Sequence, residues 1–310
     1  MKDQYLKFLK KAFILLVILF IGDRVIGSII EYYFEHEPLG DAAAFSHAIN
    51  NPQEDILIYG SSKAVHTYDT KVFTDSFKLS SYNCGRNGSN IVYGSALLPA
   101  ALDGTHQPKL IVLDVAAKEI GWRSNKGGDD ILAGMILPYV LTNPRFEKLA
   151  ADLFPKELYK ARISKMYAYN SLILSIIRNY SRTGNDNVNG YQPLIGSKLA
   201  QEPPDFFGRD KIDAYALSRL EFFAKSVTDK KIPLVVIISP MYSKPFEDNE
   251  SIKVMKQLFA KYHIQFWDYS RDPKYLKREY FYDVAHLNTI GAEMFSKEVI
   301  SRIKSEGILK

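Results

Sequence analysis

The run Asp55-Ile56-Leu57-Ile58-Tyr59-Gly60-Ser61-Ser62 decides the fold of this chain. It reads as a short apolar strand with a charge at one end and a glycine-serine turn at the other. Four further runs repeat the strand signal: Lys78–Asn83, Lys109–Val115, Ile232–Ser239 and Gln265–Trp267. The second and third of these are continuously apolar through their centres, as in parallel strands covered on both faces. Helical patterns alternate with the strands, over Tyr68–Ser76, Ile91–Leu102, Lys211–Thr228, Glu250–Tyr262 and Thr289–Ser305. The alternation predicts an α/β fold with a doubly wound, mainly parallel five-stranded sheet. Ligands of such sheets bind beyond the carboxyl ends of the strands. Ser62, Gly85–Gly88 and Val115–Glu119 all follow such ends.

The rhythm breaks between Lys118 and Lys211. Residues 129–181 read as two or three helices, and Thr183–Pro204 is rich in Gly, Asn and Pro. We read about 120–208 as a helical insertion plus a loop over the catalytic edge, since long loops in compact domains are usually functional or disordered.

At the other end, Lys2, Lys7, Lys10 and Lys11 precede an apolar run from Ala12 to Gly22, then Asp23-Arg24 and a second apolar run from Val25 to Ile30. The first run alone is shorter than the ~20 residues a bilayer requires. No small-residue cleavage site follows it closely. Residues 1–33 are therefore predicted to be a basic cytoplasmic tip and one uncleaved transmembrane signal anchor, from about Lys10 to Tyr33. Residues 34–54 are a linker with a short helix around Ala42–Ile49, and residues 55–310 are an extracytoplasmic domain, by the positive-inside rule. Asp23, Gly27, Ser28 and Glu31 recur at helical spacing, giving the anchor one small or polar face. That face either pairs locally and snorkels or docks onto a membrane partner.

Composition removes several classes of function. The 310 residues are 46% hydrophobic, enough for a sizeable core. Four lysines and Asp3 give residues 1–11 a net +3 of the total +5, so no basic stripe remains for nucleic acid. Cys84 is the only cysteine, which rules out an internal disulfide and a zinc-thiolate cluster. His36, His47, His106 and His263 lack metal-ligand spacing, and no phosphate-loop or dinucleotide fingerprint occurs. No metal or cofactor is predicted.

The chemistry is expected to join Ser62 to Asp283-Val284-Ala285-His286-Leu287-Asn288, over two hundred residues downstream. A serine hydroxyl is a poor nucleophile until a base accepts its proton. His286 would be that base, imidazole titrating near ~6.5 when unperturbed. Asp283 would hold its other ring nitrogen. Such triads are recognised by geometry and role rather than by neighbourhood in sequence. The Ser62 and Gly88 N–H groups are the first candidates for an oxyanion hole, with Asn87, Asn83 and Lys118 as further oxyanion or substrate contacts. Other roles compete. Gly-Ser-Ser also suits a helix cap, Asp283 an N-cap of the last helix, and His286 a structural site. His66, four residues after Ser62, is a rival base. Tyr68, Tyr93, Trp122 and Tyr280–Tyr282 are aromatic groups that could meet a sugar, although core or rim packing accounts for most.

Over roughly residues 55–305 these blocks resemble the SGNH (GDSL-like) hydrolase superfamily. Gly60-Ser61-Ser62 resembles its first block, Tyr82–Ser89 its second, and Asp283-Val284-Ala285-His286 its last. The resemblance implies a flavodoxin-like sheet with Ser62 as nucleophile. At the third block the family has Gly-x-Asn-Asp, whereas this chain has Ala116-Ala117-Lys118-Glu119. The N-terminal helix, Gly-Ser-Ser, His286-Leu287-Asn288 and Gly291-Ala292 are similar to a membrane-anchored branch. That branch includes the D-alanylation protein of teichoic-acid synthesis and the alginate O-acetylation proteins. The similarity implies an acyltransferase, with acetyl the expected group, a cell-envelope glycan as acceptor, and a multispanning membrane-bound O-acyltransferase as partner. A surface esterase or deacetylase and a non-catalytic envelope scaffold are the alternatives.

Overall fold

A computed structural model describes residues 2–38, 40–50, 52–121, 132–181, 187–199, 202–206 and 211–309. Trp122 and parts of the Thr183–Pro204 loop lie outside the described residues. Five strands form the sheet: β1 (Ile56–Tyr59), β2 (Ser81–Asn83), β3 (Leu110–Asp114), β4 (Leu234–Ile238) and β5 (Gln265–Asp268). All pair in parallel, in the order β2-β1-β3-β4-β5. This is the doubly wound arrangement expected from the alternating pattern. Its order reverses between β1 and β3, which is where such sheets build their sites.

Every residue of β1, β3 and β4 is buried, which explains why these strands read as apolar runs, broken only by Asp114 at the end of β3. Side chains alternate between the two faces. Ile56 and Ile58 join a core with Tyr68, Phe73 and Phe295, while Tyr59 meets Phe223 edge-on.

The chain divides into two compact units. The sheet unit comprises Ala44–Gly128 and Gly184–Lys310. In chain order its helices after the short α2 (Gly40–Ile49) are α3 (Ser62–Thr67), α4 (Thr70–Phe77) and α5 (Ile91–Leu102). The second unit comprises Met1–Ala43 and Asp129–Thr183. It joins α1 (Lys2–Glu35) to α6 (Pro144–Leu153), α7 (Pro155–Ile163) and α8 (Ile173–Ser181). The sheet unit is completed by α9 (Ala214–Asp229), α10 (Glu250–Lys261) and α11 (Thr289–Ser305).

Helix α1 is long and apolar enough to cross a membrane. Its polar face is occupied by the insertion of the same chain. The Asp23 carboxylate accepts from the Ser164 hydroxyl and from the Lys165 and Met166 N–H groups. Arg24 donates to the Ile163 and Arg162 carbonyls at 2.7 and 3.2 Å. Lys165 reaches Ser28 and pairs with Glu31. Gly27 is required here, because a Cβ at that position would lie 2.8 Å from the Lys165 side chain.

Candidate active site

The turn after β1 explains the Gly-Ser-Ser sequence residue by residue. Gly60 has φ 151°, and a Cβ there would lie 2.7 Å from the Asp114 carbonyl oxygen. Only glycine fits without strain. Ser61 then caps α3 by accepting from the Lys63 N–H. Ser62 is the first helical residue, so its N–H has no carbonyl one turn behind it to bond. The two serines divide the competing roles: Ser61 is the cap, and Ser62 keeps its hydroxyl for the site.

The Ser62 hydroxyl meets Nε2 of His286 at 2.8 Å. Nδ1 of His286 faces both oxygens of Asp283, at 2.9 and 3.0 Å. A carboxylate only accepts, so Nδ1 carries the proton and Nε2 is free to take one from Ser62. The loop that holds this geometry is closed on itself. Asp283 also accepts from the Ala285 and His286 N–H groups, and the Tyr282 N–H bonds the His286 carbonyl at 2.9 Å. Phe281 and Leu287 bridge its two ends. Burial raises the Asp283 acid, but the His286 ring and these N–H donors outweigh it and hold the carboxyl below its ordinary value. The last helix is capped by Asn288 rather than Asp283.

His66 lies beside the triad, its ring edge-on to that of His286 at 5.2 Å. Its Nδ1 meets the Gln192 carbonyl oxygen at 2.7 Å, so this nitrogen is the N–H, and the ring that the Ser62 hydroxyl meets is that of His286. The Gln192 side-chain oxygen accepts from Asn87 at 3.2 Å. Asn87 and the neighbouring Gly88 are thereby tied to the same rim. Asn83 is not. It is fully buried, donates to the Ala64 and Tyr68 carbonyls, and accepts from the Gly85 N–H. Those bonds use its amide to staple α3 to the turn after β2, which corrects its assignment as an oxyanion or substrate contact. Lys118 lies over the Phe206 ring at 4.7 Å.

The described residues 187–199 and 202–204 are pinned along the rim of the Ser62 site. Asn83 and Gln192 N–H groups bond Asn189 and Val65 carbonyls, and Thr289 N–H bonds Leu194. Farther on, Lys198 bonds Tyr282, Arg278 bonds Leu199 and Lys244 bonds Pro204. These bonds place Gln192 at the rim. No local sequence pattern announces it, since its partners lie more than a hundred residues away.

Beneath the rim lies a charged floor. Lys63, next to the nucleophile, is buried and donates to the Ser239 carbonyl at 2.9 Å. Tyr68 donates to the buried Asp114 at 2.8 Å. Burial pushes the Lys63 ammonium down and the Asp114 carboxyl up, while each charge opposes the shift of the other. Glu119 lies in the turn after β3, where the resemblance led to the expectation of an asparagine-bearing block. Its carboxylate accepts from the Ile91 and Ala116 N–H groups at 2.6 and 2.9 Å. Burial still pushes its acid up to about 7.

No family model and no curated protein matches the chain. Among solved structures it is similar to a candidate platelet activating factor from Streptococcus pneumoniae, at 14% identity and TM-score 0.41, covering 94% of this chain and 98% of that one. It is also similar to a candidate acylhydrolase from Bacteroides fragilis NCTC 9343, at 11% identity and TM-score 0.38, covering 84% and 94%. A third similar structure is AlinE4, an SGNH-hydrolase family esterase, at 12% identity and TM-score 0.31, covering 82% and 96%. What the site can do follows from its own side chains.

Proposed function

We propose that this chain is a membrane-anchored, SGNH-like serine O-acyltransferase working outside the cytoplasmic membrane. The single observation that carries the reading is the hydrogen-bonded series Ser62–His286–Asp283. In the first half-reaction His286 Nε2 takes the Ser62 proton as Oγ attacks a donor's acyl carbonyl. The tetrahedral oxyanion collapses, the donor's leaving group departs with that proton, and an acyl ester remains on Ser62. In the second, His286 takes the proton of an acceptor hydroxyl, whose oxygen attacks the ester and regenerates Ser62. Asp283 holds the tautomer throughout, and the Ser62 and Gly88 N–H groups are the proposed oxyanion donors.

Acetyl is the proposed group, a cell-envelope or exported polysaccharide the acceptor, and a multispanning membrane-bound O-acyltransferase the source. Helix α1 supports the anchored part of this reading by its length and apolar character. Hydrolysis is the second reading. The Asp283 side chain is 40% exposed, so water reaches the outer end of the triad.

The two readings separate on the purified full chain in detergent. Hydrolysis of a chromogenic acetyl ester that disappears in Ser62→Ala is the expected enzyme signature. Transfer to a glycan oligosaccharide faster than hydrolysis selects the transferase. Retention of glycan acylation in cells carrying Ser62→Ala, Asp283→Asn and His286→Ala would leave only a scaffold role.

A further inference from the structure

The anchor and its docked insertion pose a problem of depth. Twenty-two residues from Ala12 to Tyr33 span about 33 Å at ~1.5 Å per residue, which matches a bilayer core of ~30 Å. Yet Asp23 and Arg24 sit halfway along that length, and both are bonded to the corner where α7 meets the 3-10 turn Met166–Tyr169. That corner belongs to a charged element. Residues 144–181 carry seven basic and three acidic side chains, net +4. Helices carrying exposed Lys156, Lys160 and Arg162 do not enter hydrocarbon.

Snorkelling resolves most of the conflict. Lys7, Lys10 and Lys11 can lie below the inner boundary and still place their ammonium groups at the headgroups. Twenty residues counted from about Phe8 place the outer boundary near Gly27–Ser28. Asp23 and Arg24 then lie three to five residues inside it, roughly 5–8 Å of helix. Interfacial segments commonly bury their apolar faces by a comparable depth, about 5–10 Å. The tip of this corner has the matching chemistry. Tyr159 and Ile163, one helical turn apart on α7, are 65% and 56% exposed. Lys156, Lys160 and Arg162 flank them on the same short helix.

We propose that the α7 corner is a membrane foot, with Tyr159 and Ile163 seated in the headgroup–acyl boundary of an anionic bilayer beside the emerging α1. The inference rests on the reading of α1 as a membrane span. The foot gives Asp23 and Arg24 protein partners at a depth where water is scarce, and its basic residues meet lipid phosphates. It fixes the height at which the second unit stands on the membrane.

The test uses the full chain in a Cys84→Ala background, reconstituted into phosphatidylcholine–phosphatidylglycerol vesicles. An environment-sensitive dye is attached to a single cysteine introduced as Tyr159→Cys, Ile163→Cys or Leu16→Cys. Circular dichroism identical to the parent establishes folding. Spin-labelled lipids quenching at shallow or deep acyl positions then report depth. At residues 159 and 163 shallow quenching should exceed deep quenching several-fold, with the reverse at residue 16. Water-like, unquenched dyes at 159 and 163 together with deep quenching at 16 overturn the foot and leave the anchor standing. Quenching at 159 and 163 by the deep lipid as strongly as at 16 also overturns it. No lipid quenching at 16 removes the anchor reading, and the foot with it.

Discussion

The rim and the floor of the Ser62 site use charge in opposite ways. At the rim, Asp283 is partly open to solvent, receives a ring N–H and two backbone N–H groups, and stays ionised below its ordinary range. On the floor, Lys63, Asp114 and Glu119 are pushed toward their neutral forms by burial. A solvated, hydrogen-bonded carboxylate is inexpensive to keep charged and suited to orienting a base. A buried charge is tolerated only while its partners remain. Rim substitutions should therefore change rate with little effect on stability, and floor substitutions should do the reverse.

The largest expected effect tests the rim. Ser62→Ala or His286→Ala should lower turnover of an acetyl ester by roughly 10³–10⁶-fold, and Asp283→Asn by up to about 10⁴-fold. The urea midpoint should stay near that of the parent. A rate loss accompanied by an equal loss of stability in all three would abolish the distinction between rim and floor.

Lys63→Ala probes the floor directly. It removes the donor to the Ser239 carbonyl and the cation opposing burial of Asp114. Breaking a buried charged arrangement costs about 3–5 kcal/mol, visible as an earlier urea midpoint. Lys63→Met with Asp114→Asn removes both charges and should recover at least half of that loss. A double variant no more stable than Lys63→Ala would show that packing, not charge, governs the floor.

The two asparagines sharpen the boundary. Asn83→Ala should destabilise by about 2–3 kcal/mol, because the Ala64 carbonyl and Gly85 N–H are left unpaired inside the protein. Asn87→Ala should leave the midpoint within about 0.5 kcal/mol, since the residue is only half-buried. Its effect should appear in kcat. Equal destabilisation by the two would place Asn87 in the floor as well.

Periodicity made the sheet legible, because burial on both faces leaves β4 no polar position and β3 only Asp114 at its carboxyl end. The contact of Ser62, His286 and Asp283 is one that their residue types and the resemblance of their blocks led us to expect, with His66, nearer a strand end, as the rival. The floor was not readable. Lys63 follows Ser62 and looks like a solvated helix residue, yet the crossing of β4 puts the Ser239 carbonyl over it. Asn83 reads as a ligand contact through the block Tyr82–Ser89 that carries the resemblance, but α3 turns back far enough to take its amide. The polar stripe of α1 was visible as a pattern, while its occupant, some 140 residues away, depends on tertiary packing alone.

Glu119 supplies the smallest effect and fixes its sign by pH. Its acid is ordinary at 4.5 when unfolded and pushed up to about 7 by burial when folded. Between these values the native state binds the extra proton, so stability falls as pH rises from about 4.5 through about 7. The residue as a whole is only half-buried, which discounts the full conversion to about 1–2 kcal/mol. Asp283 acts the other way and lower down, its contribution being present above its unfolded value of 3.8 and lost as pH drops through its folded one. Glu119→Gln should flatten the decline in urea midpoint between pH 5 and pH 8. It should also lower stability at every pH, because one amide oxygen must serve the two N–H groups of Ile91 and Ala116. An unchanged slope would assign the pH dependence to Asp114, the other floor carboxyl raised by burial.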